Sequence, residues 1–320
     1  MEEQDMKHLL AVLFAVVSML NVCDGVHAGV LYWSELGPAK TVSRSHLDGT
    51  NIQTLALGGE TTRDIVLDLT ADKLYGTSLL DVIGRSNLDG TGLESVVSGV
   101  GIAEWGLDLD LGNGFVYWTD RDADAIFRAE LDGSNPTQIL TTGQPRGIRV
   151  DPVGGKIYWA DSGDGGAQAV LRANLDGTGK EILAVGFRPR FLDLDLTNNH
   201  VYWTDSSAGV IERANLDGSG RQTLLSGLSG PLGIALDAAG NAMYWTDSPD
   251  GLVQRAALDG SGVQTILSGL TSPSAIALDL RAGSTLVPEP STLALAGIGL
   301  LAFGIFGRRR WLARSKNTNL

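Results

Sequence analysis

The sequence has little cysteine and little positive charge, and each shortage excludes a class of protein. One cysteine among 320 residues excludes an internal disulfide framework and any zinc site built from several thiolates. Lys and Arg number 24 against 37 Asp and Glu, so the net charge of −13 repels nucleic acid, and no nucleic-acid partner is expected. Apolar residues, at 43%, suffice for a folded core, and the 42 glycines indicate many tight turns.

Long hydrophobic runs occur only near the two ends of the chain. A basic pair precedes the apolar run Leu9–Val22, and a small-residue cleavage pattern ends at Ala28. These features predict a signal peptide over residues 1–28. The alternative is a lipoprotein signal that ends at Cys23, although Val22 stands where a small residue is preferred.

The second apolar run, residues 291–307, lies near the C-terminus. As a helix its 17 residues would extend about 25 Å, close to the ~30 Å hydrocarbon core of a bilayer. We expect it to cross the membrane transiently and to leave a basic tail, residues 311–320, in the cytoplasm. A Pro-Glu-Pro triplet precedes the run and three arginines follow it. These sorting residues are Pro288, Glu289, Pro290, Arg308, Arg309 and Arg310.

This order of elements over residues 287–310 resembles the bacterial PEP-CTERM sorting signal. The resemblance implies processing by an exosortase-type membrane enzyme, with anchoring in the inner membrane before processing. It also implies delivery to the surface or the outside of a Gram-negative cell, often with exopolysaccharide. A plain single-span membrane anchor is the alternative.

Between the two ends, tyrosine recurs at intervals of 41 to 44 residues. The six tyrosines are Tyr32, Tyr75, Tyr117, Tyr158, Tyr202 and Tyr244. Each repeat contains four short apolar runs separated by Gly, Asn and Asp, which indicates four strands and their turns. A Leu-Asp-Gly signal after the third run favours a tight turn with positive φ. A fixed period of this length indicates propeller blades or a solenoid.

Tyr-Trp-Thr-Asp stands at residues 117–120, 202–205 and 244–247. The motif resembles the YWTD propeller, also called the low-density-lipoprotein-receptor class B repeat. The resemblance implies an all-β, six-bladed propeller over residues 29–286, with four antiparallel strands in each blade. We expect its aromatic side chains to pack between blades as structural residues. They are Tyr32, Trp33, Tyr75, Tyr117, Trp118, Tyr158, Trp159, Tyr202, Trp203, Tyr244 and Trp245.

The repeats are out of phase with the blades. The region begins on a Tyr-Trp strand and ends on Ala275–Leu280, a strand of the type that precedes Tyr-Trp in the other repeats. We therefore predict that Ala275–Leu280 is the innermost strand of a blade whose other strands come from residues 29–57. Such pairing closes the ring and removes open edges, as expected of a monomer. Gly76 replaces the tryptophan of the second repeat, which predicts that this blade is the loosest.

Positions just before the innermost strands should converge on the mouth of the central channel. They vary between blades while the scaffold repeats, and they include arginine and tryptophan, which are frequent in binding hot spots. The candidate binding residues are Arg63, Trp105, Arg146, Arg190, Phe191 and Leu232. In the alternative interpretation, Trp105 and Phe191 only plug the channel.

Further along these strands, Asp108, Arg149 and Asp193 occupy equivalent positions in three consecutive repeats. An arginine between two carboxylates is most simply a partly buried ion network. The alternative is a polar-ligand or metal site like those of lactonase-like and lyase-like propellers.

No catalytic set is evident between the two ends. The region has no cysteine and only two histidines, and no serine has an evident base. Asp120, Asp122 and Asp124 alternate like the start of a calcium loop, but Ala125 replaces the required glycine. We therefore expect no metal and no cofactor.

The function predicted from the sequence is that of an exported, non-enzymatic binding or matrix-associated module. Its expected partner is an extracellular protein or an exopolysaccharide, recognised at the channel mouth. The alternative is a metal-dependent hydrolase or lyase that uses carboxylates such as Glu104, Asp108 and Asp193.

Overall fold

The structure is a computed structural model that describes residues 29–38, 40–55, 62–78, 82–99, 104–163, 168–186, 188–281 and 286. The chain divides into two compact units, Met1–Ser284 and Thr285–Leu320, and the fold below belongs to the first. The predicted signal peptide and sorting residues lie outside the described residues.

The described residues form 24 strands in six four-stranded antiparallel sheets, the blades. Blade 1 contains β1 (Val30–Glu35), β2 (Thr41–His46) and β3 (Gln53–Leu55). Blade 2 contains β4 (Thr62–Asp68), β5 (Lys73–Ser78), β6 (Val82–Asn87) and β7 (Glu94–Ser98). Blade 3 contains β8 (Glu104–Asp110), β9 (Phe115–Asp120), β10 (Ala125–Glu130) and β11 (Thr137–Thr141).

The remaining blades follow in chain order. Blade 4 contains β12 (Pro145–Asp151), β13 (Lys156–Asp161), β14 (Ala169–Asn174) and β15 (Glu181–Val185). Blade 5 contains β16 (Pro189–Asp195), β17 (His200–Asp205), β18 (Val210–Asn215) and β19 (Gln222–Ser226). Blade 6 contains β20 (Pro231–Asp237), β21 (Ala242–Asp247), β22 (Leu252–Ala257) and β23 (Gln264–Leu267). The last strand, β24 (Pro273–Asp279), pairs with β1 and so belongs to blade 1.

The β1–β24 pairing confirms the predicted closure of the ring. Tyr32 faces Ala277 and Val30 faces Asp279 in an antiparallel register. The innermost strands β4, β8, β12, β16, β20 and β24 then contact one another in that order around the channel. We call the side on which these strands begin the upper face, and the side on which they end the lower face. Because β1 begins beside the end of β24, Gly29 and Arg281 both lie at the lower face.

Five of the six interfaces between neighbouring blades contain one repeated pair of aromatic residues, and the interface between blades 1 and 2 lacks it because Gly76 replaces the tryptophan. Tyr117 of blade 3 packs with Trp159 of blade 4, and Tyr158 packs in the same cluster as Trp203 of blade 5. All six tyrosines and the five paired tryptophans are buried. Burying such a ring contributes about 4–6 kcal/mol before entropy, at 150–250 Å² per ring and ~25 cal/mol per Å². These eleven rings are among the largest fully buried side chains of the described residues.

The threonine of the Tyr-Trp-Thr-Asp motif joins the innermost strands of neighbouring blades. Thr119 Oγ1 accepts a hydrogen bond from Gly106 N–H in its own blade and donates one to the Arg146 carbonyl oxygen in the next. Thr246 Oγ1 does the same between Gly233 N–H and the Ser274 carbonyl oxygen. The motif therefore fixes the spacing of strands around the channel.

The tight turns also follow the sequence pattern. The glycines of the six Leu-Asp-Gly segments have φ between +81° and +87°, a region that side chains with Cβ avoid. In the third of these turns, a Cβ on Gly133 would collide with the Val96 carbonyl oxygen of blade 2. The glycine is thus required both by the turn and by the close approach of the preceding blade.

Candidate functional site

Arg149 lies in the channel between carboxylates from two sides. Its Nη1 atom is 3.6 Å from Asp64 Oδ2 in blade 2, and its Nε atom is 3.4 Å from Asp193 Oδ1 in blade 5. Asp108 in blade 3 also attracts the guanidinium. The structure therefore brings Asp108, Arg149 and Asp193 together and adds Asp64, which the sequence comparison of repeats did not single out.

Each carboxylate of this group also accepts a backbone hydrogen bond from the next blade. Leu107 N–H donates to Asp64 Oδ2 over 3.1 Å, Val150 N–H donates to Asp108 Oδ2 over 2.7 Å, and Leu236 N–H donates to Asp193 Oδ2 over 2.8 Å. The carboxylates thus link blades 2 to 3, 3 to 4 and 5 to 6. This arrangement supports the interpretation as an ion network that stabilises the ring.

The charges of the network are unequal, because three carboxylates surround one guanidinium. Burial, together with the charge of Asp193, raises the pKa of Asp108 to about 6 against attraction from Arg149. Burial also raises the pKa of Asp64 and of Asp193. Burial alone would lower the pKa of Arg149, but attraction from Asp64, Asp108 and Asp193 outweighs it and raises that pKa. Arg149 is therefore charged throughout the ordinary pH range.

A cavity of about 280 Å³ opens from this network toward the lower face. Asp108, Arg149 and Asp193 form its polar part. Its rim is apolar and includes Leu69, Leu196 and Leu280, which follow the innermost strands of blades 2, 5 and 1. The cavity lies on the side of the network away from the candidate binding residues.

Five arginines gather at the upper mouth of the channel, and we call them the arginine cluster. They are Arg63 in blade 2, Arg121 in blade 3, Arg146 in blade 4, and Arg188 and Arg190 in blade 5. Arg146 is only 3% exposed and lies at the base of the cluster, whereas Arg188 is exposed and the other three are half-buried. Arg190 Nε donates a hydrogen bond to Ser206 Oγ over 2.7 Å.

The arginines of the cluster repel one another. Burial and then repulsion from Arg190, Arg121, Arg188 and Arg63 lower the pKa of Arg146 to about 9. Burial, with repulsion from Arg121, likewise lowers the pKa of Arg63. Among the carboxylates of the described residues, Asp122 has Oδ1 3.6 Å from Arg121 Nε, and Asp205 attracts Arg190, and both offset part of the charge.

The other candidate binding residues have different surroundings. Phe191 is 1% exposed and packs with Tyr202 and Trp245, so it belongs to the core between blades and offers no surface to a ligand. Leu232 is half-buried against the same cluster. Trp105 lies in β8, but its side chain falls outside the described part of the structure.

The acidic turn after β9 is held by its own backbone. Asp120 Oδ1 accepts hydrogen bonds from the N–H groups of Asp122 and Ala123. Among the described residues, no group of three or more His, Cys, Asp or Glu side chains is arranged to hold a metal ion.

Comparison with known protein families matches one segment of the propeller and one segment near the C-terminus. Residues 199–238 match the low-density lipoprotein receptor repeat class B, and residues 286–310 match the PEP-CTERM protein-sorting motif. The chain therefore combines a six-bladed propeller that carries a class B repeat with a PEP-CTERM sorting motif, and we call the ring the YWTD propeller after its repeated Tyr-Trp-Thr-Asp motif. The sorting motif supports export to the bacterial cell surface. Within the described residues of the YWTD propeller, no helix is long and apolar enough to cross a membrane, and the predicted helix 291–307 lies outside them.

The YWTD propeller is similar to proteins of fungi and animals. It is 29% identical over 180 residues to low-density lipoprotein receptor-related protein 1 of Pyricularia oryzae, covering 45% of this chain and 58% of the relative. It is 36% identical over 89 residues to mouse nidogen-2, covering 25% of this chain and 6% of the relative. A chain of the crystal structure of a nidogen/laminin complex shares the fold, with a TM-score of 0.70 at 24% identity over 78% of this chain and 98% of that one. The chain thus spans little more than half of the fungal relative and a small part of mouse nidogen-2.

Proposed function

We propose that the protein is an exported binding module that contacts an extracellular protein or polysaccharide through the upper face of its propeller. The observation that carries the proposal is that the arginine cluster lies at the upper face, whereas Gly29 and Arg281 lie at the lower face. Residues 29–287 hold 18 basic and 32 acidic side chains, yet five of the basic ones gather at the upper mouth.

The similarity to nidogen supports a binding role for the fold, because a similar propeller takes part in the nidogen/laminin complex. The sorting motif supports a location outside a Gram-negative cell after processing by an exosortase-type enzyme. In this proposal the YWTD aromatic residues are structural and the upper mouth is the variable, ligand-specific part.

The alternative of a metal-dependent hydrolase or lyase has less support. Asp108 and Asp193, two carboxylates that it would use, each accept a backbone hydrogen bond from a neighbouring blade and act on Arg149. Carboxylates held in this way have fewer free lone pairs for a metal ion or a proton transfer. Metal analysis of the purified protein tests the alternative, since a tightly held stoichiometric metal would favour the enzyme.

A steric block of one face at a time tests the binding proposal. In a Cys23→Ser background, Ala208→Cys places a single thiol on an exposed turn of the upper face, and Val153→Cys places one on an exposed turn of the lower face. Each thiol is coupled to a bulky maleimide polymer, and retention of the protein on native extracellular matrix is measured. We expect loss of retention only for the upper-face label. Loss with the lower-face label alone, or with neither, would contradict the proposal.

A further inference from the structure

One layer of the channel wall is charged on one side and apolar on the other. It consists of the six residues that face the tyrosines of the repeats, one from each innermost strand, and all six line the cavity that opens toward the lower face. They are Val66, Asp108, Arg149, Asp193, Ala235 and Ala277. Blades 3, 4 and 5 thus contribute the charged half of this layer, and blades 6, 1 and 2 contribute the apolar half.

The apolar half of the layer is the half that leaves space in the channel. Two of its three members are Ala235 and Ala277, whose side chains extend only one carbon from the backbone. Toward the lower face the wall stays aliphatic as far as the rim residues Leu69, Leu196 and Leu280. The cavity of about 280 Å³ is close to the roughly 300 Å³ at which small-molecule sites begin, so its size suits a small ligand.

The charged half of the layer is short of positive charge. Among the described side chains, Asp64, Asp108 and Asp193 share one cation, Arg149, and burial raises the pKa of all three carboxylates. The side chain of Asp64 is only 1% exposed, whereas that of Asp193 is 22% exposed and Asp108 also lines the cavity. A second cation that entered the cavity would therefore meet Asp108 and Asp193 and would favour their ionised forms.

Both of these carboxylates can accept a further hydrogen bond. An ionised carboxylate offers about four lone-pair sites. Asp193 accepts two backbone hydrogen bonds and lies against Arg149 Nε, and Asp108 accepts backbone hydrogen bonds from Leu109 and Val150. At least one site remains on each carboxylate, which is enough for the N–H donors of one ammonium group but few for the ligand shell of a metal ion.

We propose that the cavity of the lower face binds a small primary amine with a hydrocarbon body, its ammonium group contacting Asp108 and Asp193 and its body lying against Ala235, Ala277 and the aliphatic wall. A quaternary ammonium group suits the site less, because aromatic rings favour such groups and the described residues of the wall are aliphatic. The cavity opens on the face opposite the upper mouth, so this inference does not depend on the proposed function and is tested separately.

Probes of one chain length test the inference on the full chain in mild detergent at neutral pH. Hexylammonium carries the expected positive charge, 1-hexanol is its neutral counterpart and hexanoate carries the opposite charge. Isothermal titration calorimetry, with detergent alone as the blank, measures their affinities. We expect hexylammonium to bind at least about tenfold more tightly than hexanol, as a hydrogen bond to a charged group allows, and hexanoate to show no binding. Equal affinity for hexanol, or tighter binding of hexyltrimethylammonium, would overturn the assignment to a primary amine.

Two substitutions locate the site by different means. Asp193→Asn removes negative charge from the cavity and should weaken hexylammonium binding by at least about tenfold, whereas Asp122→Asn removes the same charge from the upper face and should not. Ala277→Phe fills the cavity, leaves every charge in place and should abolish binding. Ala239→Phe, on an exposed turn of the lower face that does not line the cavity, is its control.

The melting temperature of each variant shows whether it is folded. If Asp193→Asn folds poorly, Ala277→Phe carries the test, because it leaves the ion network intact. A folded Asp193→Asn or Ala277→Phe protein with unchanged hexylammonium affinity would overturn the inference. A wild-type protein that is retained on matrix through its upper face but does not bind hexylammonium would overturn it as well, while the proposed function would stand.

Discussion

Arg149 and Asp193 face each other across the boundary between blades 4 and 5, with 3.4 Å between Nε and Oδ1. Arg149→Met should destabilise the protein by about 3–5 kcal/mol, because it leaves buried carboxylates without their counter-charge. Urea denaturation measures this loss, and Arg149→Lys, which keeps the charge, should lose less. An Arg149→Met protein of unchanged stability that no longer binds its ligand would contradict the structural role of the network.

The raised pKa of Asp108 predicts a dependence of stability on pH. Its pKa rises from 3.8 in the unfolded chain to about 6 in the folded protein, so the folded state binds the proton more tightly. The resulting stabilisation is fully present below about pH 4 and is lost as the pH rises through 6. Asp108→Asn lacks this loss. The free energy of unfolding of Asp108→Asn, measured relative to wild type, should therefore rise by about 1–2 kcal/mol between pH 4 and 7. This change is smaller than the full pKa shift of Asp108 implies, because water in the cavity screens the carboxylate.

Urea denaturation of both proteins at several pH values checks this difference. Asp110→Asn is not a suitable control, since that carboxylate holds the turn after β8 through Asn113. Asp132→Asn, in an exposed turn, is a better one. A flat difference between Asp108→Asn and wild type would show that Asp108 stays ionised in the folded protein.

The sequence predicted the ring and its closure because both follow from a long, regular repeat. The channel network could be predicted only in part. Asp108, Arg149 and Asp193 share one position in their repeats, but Asp64 lies two residues before that position in its own repeat. The equivalent position in the next three repeats holds Gly106, Gly147 and Phe191, so a comparison of one position per repeat does not find the charge of Asp64.

The residues of the upper mouth could also be predicted only in part from the sequence. Arg121 was missed because it follows β9 and comes before no innermost strand, yet the turn that holds it lies on the upper face. Phe191 occupies the position where Gly106, Gly147 and Gly233 stand in other blades, and it fills space between blades that those glycines leave to the neighbouring backbone. The structure is needed to show that Arg121 lies at the upper mouth and that Phe191 lies in the core between blades.

Closure by β24 predicts that the ring depends on its last strand. A chain that ends at Ser274 loses the last five of the seven residues of β24, including Ile276, which packs in the cluster of Trp33. We expect its melting temperature to fall by more than about 10 °C, since each kcal/mol lost shifts the midpoint by about 2–4 °C in a domain of this size. A chain that ends at Arg281 keeps the strand and is the control. Equal melting temperatures for the two chains would exclude closure by β24.

The second blade should be the loosest part of the ring. Gly76 stands where the other blades have the tryptophan that packs against a tyrosine of the preceding blade, and Thr62 Cγ2 occupies part of the space, 2.9 Å from where a Cβ would be. A threonine methyl group replaces far less apolar contact than an indole ring, so local opening should cost less free energy there. Amide hydrogen exchange should therefore be faster over residues 74–78 than over residues 116–120 of β9, which contain Trp118. Equal protection of the two strands would mean that backbone pairing within a blade, rather than aromatic contact between blades, sets local stability.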